Sequence, residues 1–168
     1  MKKYTLEEVR GFSPKLLLTL ITNLRVYLKK NKQMQSIFNE YGVDIEEIDY
    51  IPISFSDLDV SAKTDHGIIY FNYKLLCDGD FFKDFGYGIH EITHWLQQTT
   101  GTEPTQGADD GDYLDNPFEV EGFQNQVEWL ADQYGKGEAN EYVDGMLDYH
   151  GLEGKEKQEK ANELKKKV

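Results

Sequence analysis

The sequence predicts an α+β fold, on three observations. Residues 14–38 place Leu, Ile, Met and Phe at helical spacing, the pattern of amphipathic helices. Between Ile48 and Tyr73 the texture changes to β-branched and aromatic residues broken by turn signals, the mark of a small sheet. From about Phe81 to Thr100, and again from about Pro117 to Tyr134, the helical spacing returns, now with polar groups at fixed intervals. The 168 residues suffice for one domain with its own core. An apolar content of 39% with 13% aromatics is that of a folded chain. The expected organisation is a single domain over 1–150, with N-terminal helices in 5–42, a mixed sheet in 48–73 and two site-bearing helices in 81–135. A charged helix or tail follows at 151–168.

Thr5-Leu6-Glu7-Glu8 reads as a capping box that opens a short first helix. Ser13-Pro14 reads as the cap and first residue of a second, which carries Leu17, Leu20, Ile21, Leu24 and Leu28 on one side. The pattern continues through Met34, Ile37 and Phe38, with or without a break at Asn31, and Gly42 stops it. Ile48, Tyr50, Ile51, Ile53 and Phe55 suggest a strand, with Pro52 at an edge. Asp57 to Ser61 is a candidate short strand. Lys63 to Gly67 reads as a turn carrying a surface His66, and Ile68 to Phe71 as the strand after it. Asp78-Gly79-Asp80 is a break. Gly86 and Gly88 each cost the next helix roughly 1 kcal/mol against Ala, and mark either a close approach or a later helix start.

That next helix, from about Phe81 to Thr100, contains His90-Glu91-Ile92-Thr93-His94. Positions i and i+4 lie one above the other on a helix. Two imidazoles at that spacing can share one metal ion. Glu91, one step round from His90, reaches a water on that ion but is poorly placed to be a ligand. The chain has only four His, and Ile89, Ile92, Trp95 and Leu96 flank these two with apolar surface. Such a buried helix does not carry two His and a Glu without partners.

This H-E-x-x-H segment resembles the active-site helix of the zincin metallopeptidases, and the resemblance covers about residues 67–135. It implies a minimal zincin-like domain, one Zn2+ per chain and a third protein ligand downstream. Trp95 to Gly107 contains no His, so the metzincin extension is not matched. In gluzincins the ligand is a Glu on a second helix. Asn116-Pro117-Phe118-Glu119-Val120-Glu121 opens such a helix, expected from about Pro117 to Tyr134. Its apolar stripe is Val120, Phe123, Val127, Leu130, Ala131 and Tyr134. Glu119 lies on the edge of that stripe, whereas Glu121 lines up with Gln124, Asn125, Glu128 and Asp132. Helical phase therefore favours Glu119 as ligand over Glu121. No Asp stands at position 123, so no outer partner for a ligating His is identified. The resemblance further implies an extended substrate added to an edge strand, with Gly67 to Phe71 as the candidate. It also implies a Tyr or His that stabilises the oxyanion: Tyr113 foremost, with Tyr142, Tyr149 and His150 as alternatives.

The expected activity is that of a zinc metallopeptidase acting on a peptide or protein, with Glu91 as general base. The alternative is a non-catalytic, metal-stabilised interaction module, as in small zincin-like domains of bacteria and their phages that serve one partner. Gly101 to Asp115 is a polar loop whose acidic run resembles a calcium loop but lacks its spacing. Gly135-Lys136-Gly137 is a break, and Glu138 to Tyr149 a further helix. A net charge of −13 disfavours nucleic-acid binding. Cys77 is the one cysteine, so no internal disulfide is expected and a reducing compartment suits the chain. No signal-peptide pattern follows Met1-Lys2-Lys3, and Leu16 to Ile21 is too short to span a bilayer. The expectation is a cytoplasmic protein without membrane contact. Nothing in the sequence sets its oligomeric state.

Overall fold

The structure is a computed structural model, which describes residues 2–79, 81, 84–103 and 113–168. Asp80, and residues 104–112 with the acidic run of the expected polar loop, lie outside these residues. The class is mixed α+β, with a three-stranded mixed sheet and several helices. Contacts divide the chain into two compact units, Met1–Gly107 and Ala108–Val168.

In the first unit, Thr5 forms the expected capping box with Glu8 and opens α1 (Leu6–Arg10). Ser13 caps α2 (Pro14–Lys30) with Pro14 at its first position. The chain does break at Asn31. That residue has extended dihedrals, ends α2, and accepts from the N–H of Met34 to begin α3 (Lys32–Glu40). Ile21, Leu24, Leu28, Met34, Ile37 and Phe38 are buried as the spacing predicted.

The expected strand does not begin at Ile48. The Asp44 carboxylate accepts from Glu46 N–H at 2.9 Å and starts a 3-10 turn over Ile45–Tyr50. Short-range capping overrides β propensity here. Arg25 donates to the Ile51 carbonyl at 2.6 Å, and Lys29 pairs with Asp49 and Glu46, which docks this turn on α2. The hydrogen bond to Asp49, then that to Glu46, raises the Lys29 pKa.

The strands are β1 (Ile53–Ser56), β2 (Ala62–Asp65) and β3 (Ile68–Asn72), in the order β1-β3-β2. β1 runs parallel to β3, with Ile53 opposite Ile69, and β2 runs antiparallel, with Asp65 opposite Ile68. Two expectations are corrected. Asp57 to Ser61 is a loop, because the buried Asn72 amide donates to the carbonyls of Leu58 and Val60 at 2.8 and 2.9 Å. Lys63 to Asp65 is strand, and the turn shrinks to His66 and Gly67, both at positive φ (50° and 73°). This is the two-residue loop whose twist suits a hairpin. β3 is consequently the central strand, not the edge expected at Gly67 to Phe71, and the outer strands are β1 and β2.

α4 (Phe85–Thr99) begins later than expected and lies over β2 and β3. Aromatic rings join the layers: Phe71 meets Phe55 and Phe81, Phe81 meets Phe85, Phe85 meets Tyr27, and Phe38 meets Trp95. Gly88 faces the side chains of Leu24 and Phe71, where an added Cβ would stand at ordinary contact distance. It admits no close backbone.

The second unit is three helices: α5 (Pro117–Tyr134), α6 (Lys136–Tyr149) and α7 (Gly154–Leu164). Val120, Phe123 and Val127 of α5, Ala139, Val143 and Leu147 of α6, and Ala161 and Leu164 of α7 form one buried cluster. Gly135, at φ 94°, is the single residue between α5 and α6. The Lys-rich end is thus a helix, held by Leu164 and Ala161 and by side-chain hydrogen bonds. Lys160 donates to the Leu114 carbonyl, Asp115 and Glu163, and Lys167 to Asn125. Burial alone would lower the Lys160 pKa, but the hydrogen bonds to Asp115 and Glu163 outweigh it and raise the pKa. No helix of the described residues is long and apolar enough to cross a membrane.

Leu164 is fully buried, so Leu164→Ala should cost about 2–5 kcal/mol, the usual range for emptying such a site. Chemical denaturation measures this; a loss below about 0.5 kcal/mol, as at ordinary surface positions, would mean that α7 does not share the core.

Candidate metal centre

α4 is buried almost all round. Ile89, Ile92 and Leu96 fill the core, while His90, Glu91, Thr93, His94, Gln97 and Gln98 are buried polar residues on the same helix. His90, Glu91 and His94 are 4%, 6% and 6% exposed. Polar groups shielded to this degree need partners, and each has one.

The two imidazoles stand side by side, ring centroids 4.9 Å apart, and their Nε2 atoms approach to 3.1 Å. Two zinc–nitrogen bonds of about 2.0–2.1 Å at a tetrahedral angle set their nitrogens about 3.3 Å apart. The pair therefore fits a shared divalent ion. Behind His94, Nδ1 lies 2.8 Å from Gln97 Oε1 and 3.3 Å from Glu103 Oε2. This is the outer partner that the sequence did not reveal.

Glu91 is positioned from β2. Thr64 Oγ1 lies 2.7 Å from its Oε2 and 2.9 Å from its backbone carbonyl. Gln98, two turns along α4, donates to the Thr64 carbonyl at 3.1 Å and accepts from Gly67 N–H at 3.3 Å. The hairpin is thereby tied to the helix at both the strand and its turn. Asn72 N–H donates to the Ser61 carbonyl, so residues 61, 63 and 65 turn their backbone groups toward β3. Ala62 and Thr64 turn theirs outward. Among the described residues no further strand pairs with β2 on that side, and its Thr64 carbonyl is taken by Gln98.

In the second unit, Glu119 stands on the first turn of α5, half-buried, just inside the Asn116 cap. Its line along the helix is Gly122, Gln126 and Trp129, all buried. The helix has this second buried line beside the apolar stripe of Val120, Phe123 and Val127. The expected polar face is therefore not wholly wet: Asn125 is fully buried, and its side-chain oxygen accepts from Lys167 at 2.6 Å. Glu121 lines up with half-buried Gln124 and Glu128. Tyr113 is 48% exposed, its ring stacked on His150 and edge-on to Phe123. Tyr149 is exposed beside His150, and Tyr142 packs against the helical cluster. His66 is an exposed turn residue bonded to Asp65.

Four residues that hold the centre were not singled out from sequence: Thr64, Gln97, Gln98 and Glu103. Gln97 carried a readable signal, three positions past His94 on one helix face. Thr64 and Glu103 sat inside segments read as turn and polar loop.

Thr64→Val keeps the shape and removes the hydroxyl, leaving a buried carboxylate oxygen without this donor. The expected loss of stability is about 1–3 kcal/mol, with Thr64→Ser much closer to wild type. Equal stability of the Val variant in denaturant titrations would show the contact to be idle. A scan against protein-family models, a search of curated proteins and a search of solved structures each returned no match.

Proposed function

We propose that the chain is a zinc-dependent peptidase of the zincin, gluzincin-like type. The observation that carries this reading is the pair of buried imidazoles with Nε2 atoms 3.1 Å apart, flanked on α4 by a buried carboxylate that β2 holds in place. His90, His94 and Glu119 offer two imidazole nitrogens and a carboxylate oxygen, a donor set able to hold a metal ion. Glu119 is preferred to Glu121 because its helical line is the buried one.

In this reading His90 and His94 bind through Nε2, and Glu119 supplies the third ligand. A bound zinc ion would act as Lewis acid and bring the pKa of a water toward neutrality. Glu91 takes the proton of the attacking water and passes it to the leaving amine. Thr64 keeps that carboxylate aimed. Tyr113 is assigned the hydrogen bond to the oxyanion. A substrate peptide lies along β2 and pairs with the outward N–H and carbonyl of Ala62. A purely structural metal site has no use for Glu91, which favours the enzyme over an interaction module.

Elemental analysis of the purified chain should find about one zinc per molecule, as a single three-ligand site requires. Glu119→Ala should weaken zinc retention, and Glu121→Ala should leave it unchanged; the reverse would move the ligand to Glu121. No zinc in the wild type after reconstitution would sink the metal reading. For the chemistry, Glu91→Gln should lower cleavage of a broad peptide library by roughly 100-fold or more, the upper part of what a general base contributes, while zinc is kept. Zinc retained, with no cleavage by either protein, would leave the non-catalytic interaction module.

A further inference from the structure

The residues behind His94 carry a further assignment, which rests on the metal reading above. In a neutral imidazole one ring nitrogen bears the proton and the other a lone pair. Only a lone pair on Nε2 serves an ion shared with His90. Which nitrogen bears the proton is decided by what faces Nδ1. Among the groups facing it are Gln97 Oε1 at 2.8 Å and Glu103 Oε2 at 3.3 Å. The Gln97 amide can turn either its oxygen or its NH2 to the ring, so alone it enforces neither tautomer. An ionised carboxylate can only accept. The Glu103 side chain is 2% exposed, so water does not compete for it.

The backbone delivers Glu103 to this place. After α4, Gly101 takes φ 79°, a conformation that favours glycine. The N–H groups of Thr102 and Glu103 then both donate to the Gln97 carbonyl, at 2.9 and 3.1 Å, and Thr102 Oγ1 donates to it as well. One residue, Gln97, thus meets the ring with its side-chain amide and anchors the incoming loop with its carbonyl.

We propose that Glu103 is a positioning residue of the metal centre: its carboxylate holds His94 as the Nδ1–H tautomer, so that the ring turns the Nε2 lone pair toward Nε2 of His90, where a divalent cation would be shared. The 101–103 loop is then part of the site.

The test uses the full chain, isotopically labelled, in two measurements. Long-range 1H–15N correlation spectra of the metal-free protein read the tautomer of each histidine, and competition with a chromophoric chelator reads zinc affinity. In the wild type, His94 should be protonated on Nδ1 and not on Nε2. Glu103→Gln should lose that preference, and its zinc affinity should fall on the order of 10- to 100-fold. A wild-type His94 protonated on Nε2 overturns the proposal. So does a folded Glu103→Gln variant that keeps both the tautomer and the affinity. Should Glu103→Gln fail to fold, Gln97→Ala replaces it: a His94 that keeps the Nδ1–H tautomer without the amide supports Glu103, and one that loses it overturns the proposal. A wild type that holds the Nδ1–H tautomer yet takes up no zinc would sink the zinc reading and leave the role of Glu103 standing.

Discussion

The contact on which the first unit depends is that between Thr64 on β2 and Glu91 on α4. A carboxylate this deeply buried is costly unless donors meet it. Thr64 meets it from a strand far away in sequence, so the sheet and the helix cannot shift independently. The neighbouring bonds extend the same constraint. Gln98 ties the strand and its turn, and Gln97 with Glu103 ties the end of the helix to its own following loop. Apolar packing by Ile89, Ile92 and Leu96 supplies the cohesion. These polar ties determine which arrangement of that packing keeps the buried groups satisfied.

Much of this was legible in the residues, and the reasons differ from place to place. Thr5, Ser13 and Asn31 act on backbone groups two or three positions away, so their caps can be read locally. The same holds for His90 and His94, whose spacing alone puts them on one face. The apolar flanks of α4 announced its burial. By contrast, the identity of β2 depends on a hairpin in which His66 adopts a positive φ, a conformation His takes only occasionally. Polar residues around a Gly look like turn when the partner strand is not in view. Ile48 and Tyr50 failed the other way, because the turn started by the Asp44 cap beat their β propensity.

Glu103 shows why outer partners are hard to read. It lies in a run of Gly, Thr, Pro and Gln that has the composition of a solvated loop, yet its carboxylate is enclosed. Nothing in composition separates a buried loop acid from a wet one; only the position of the His94 ring does. The second unit repeats this lesson with lysines. The chain from Gly154 onward is mostly Lys and Glu, which suggests a tail. Two apolar anchors and the reach of Lys160 and Lys167 suffice to seat it as α7. Long stems let lysines cover apolar surface while their ammonium groups find oxygens.

Gln98 has an effect beyond orienting the hairpin. An open strand edge is a template on which another chain can add, and self-association of folded proteins often begins there. On β2 only Ala62 and Thr64 face outward, and the Thr64 carbonyl is already occupied. Lys63, whose ammonium lies over the Tyr70 ring, adds a charge to the same short edge. Edge-to-edge pairing of identical copies along this strand therefore finds few backbone groups to bind.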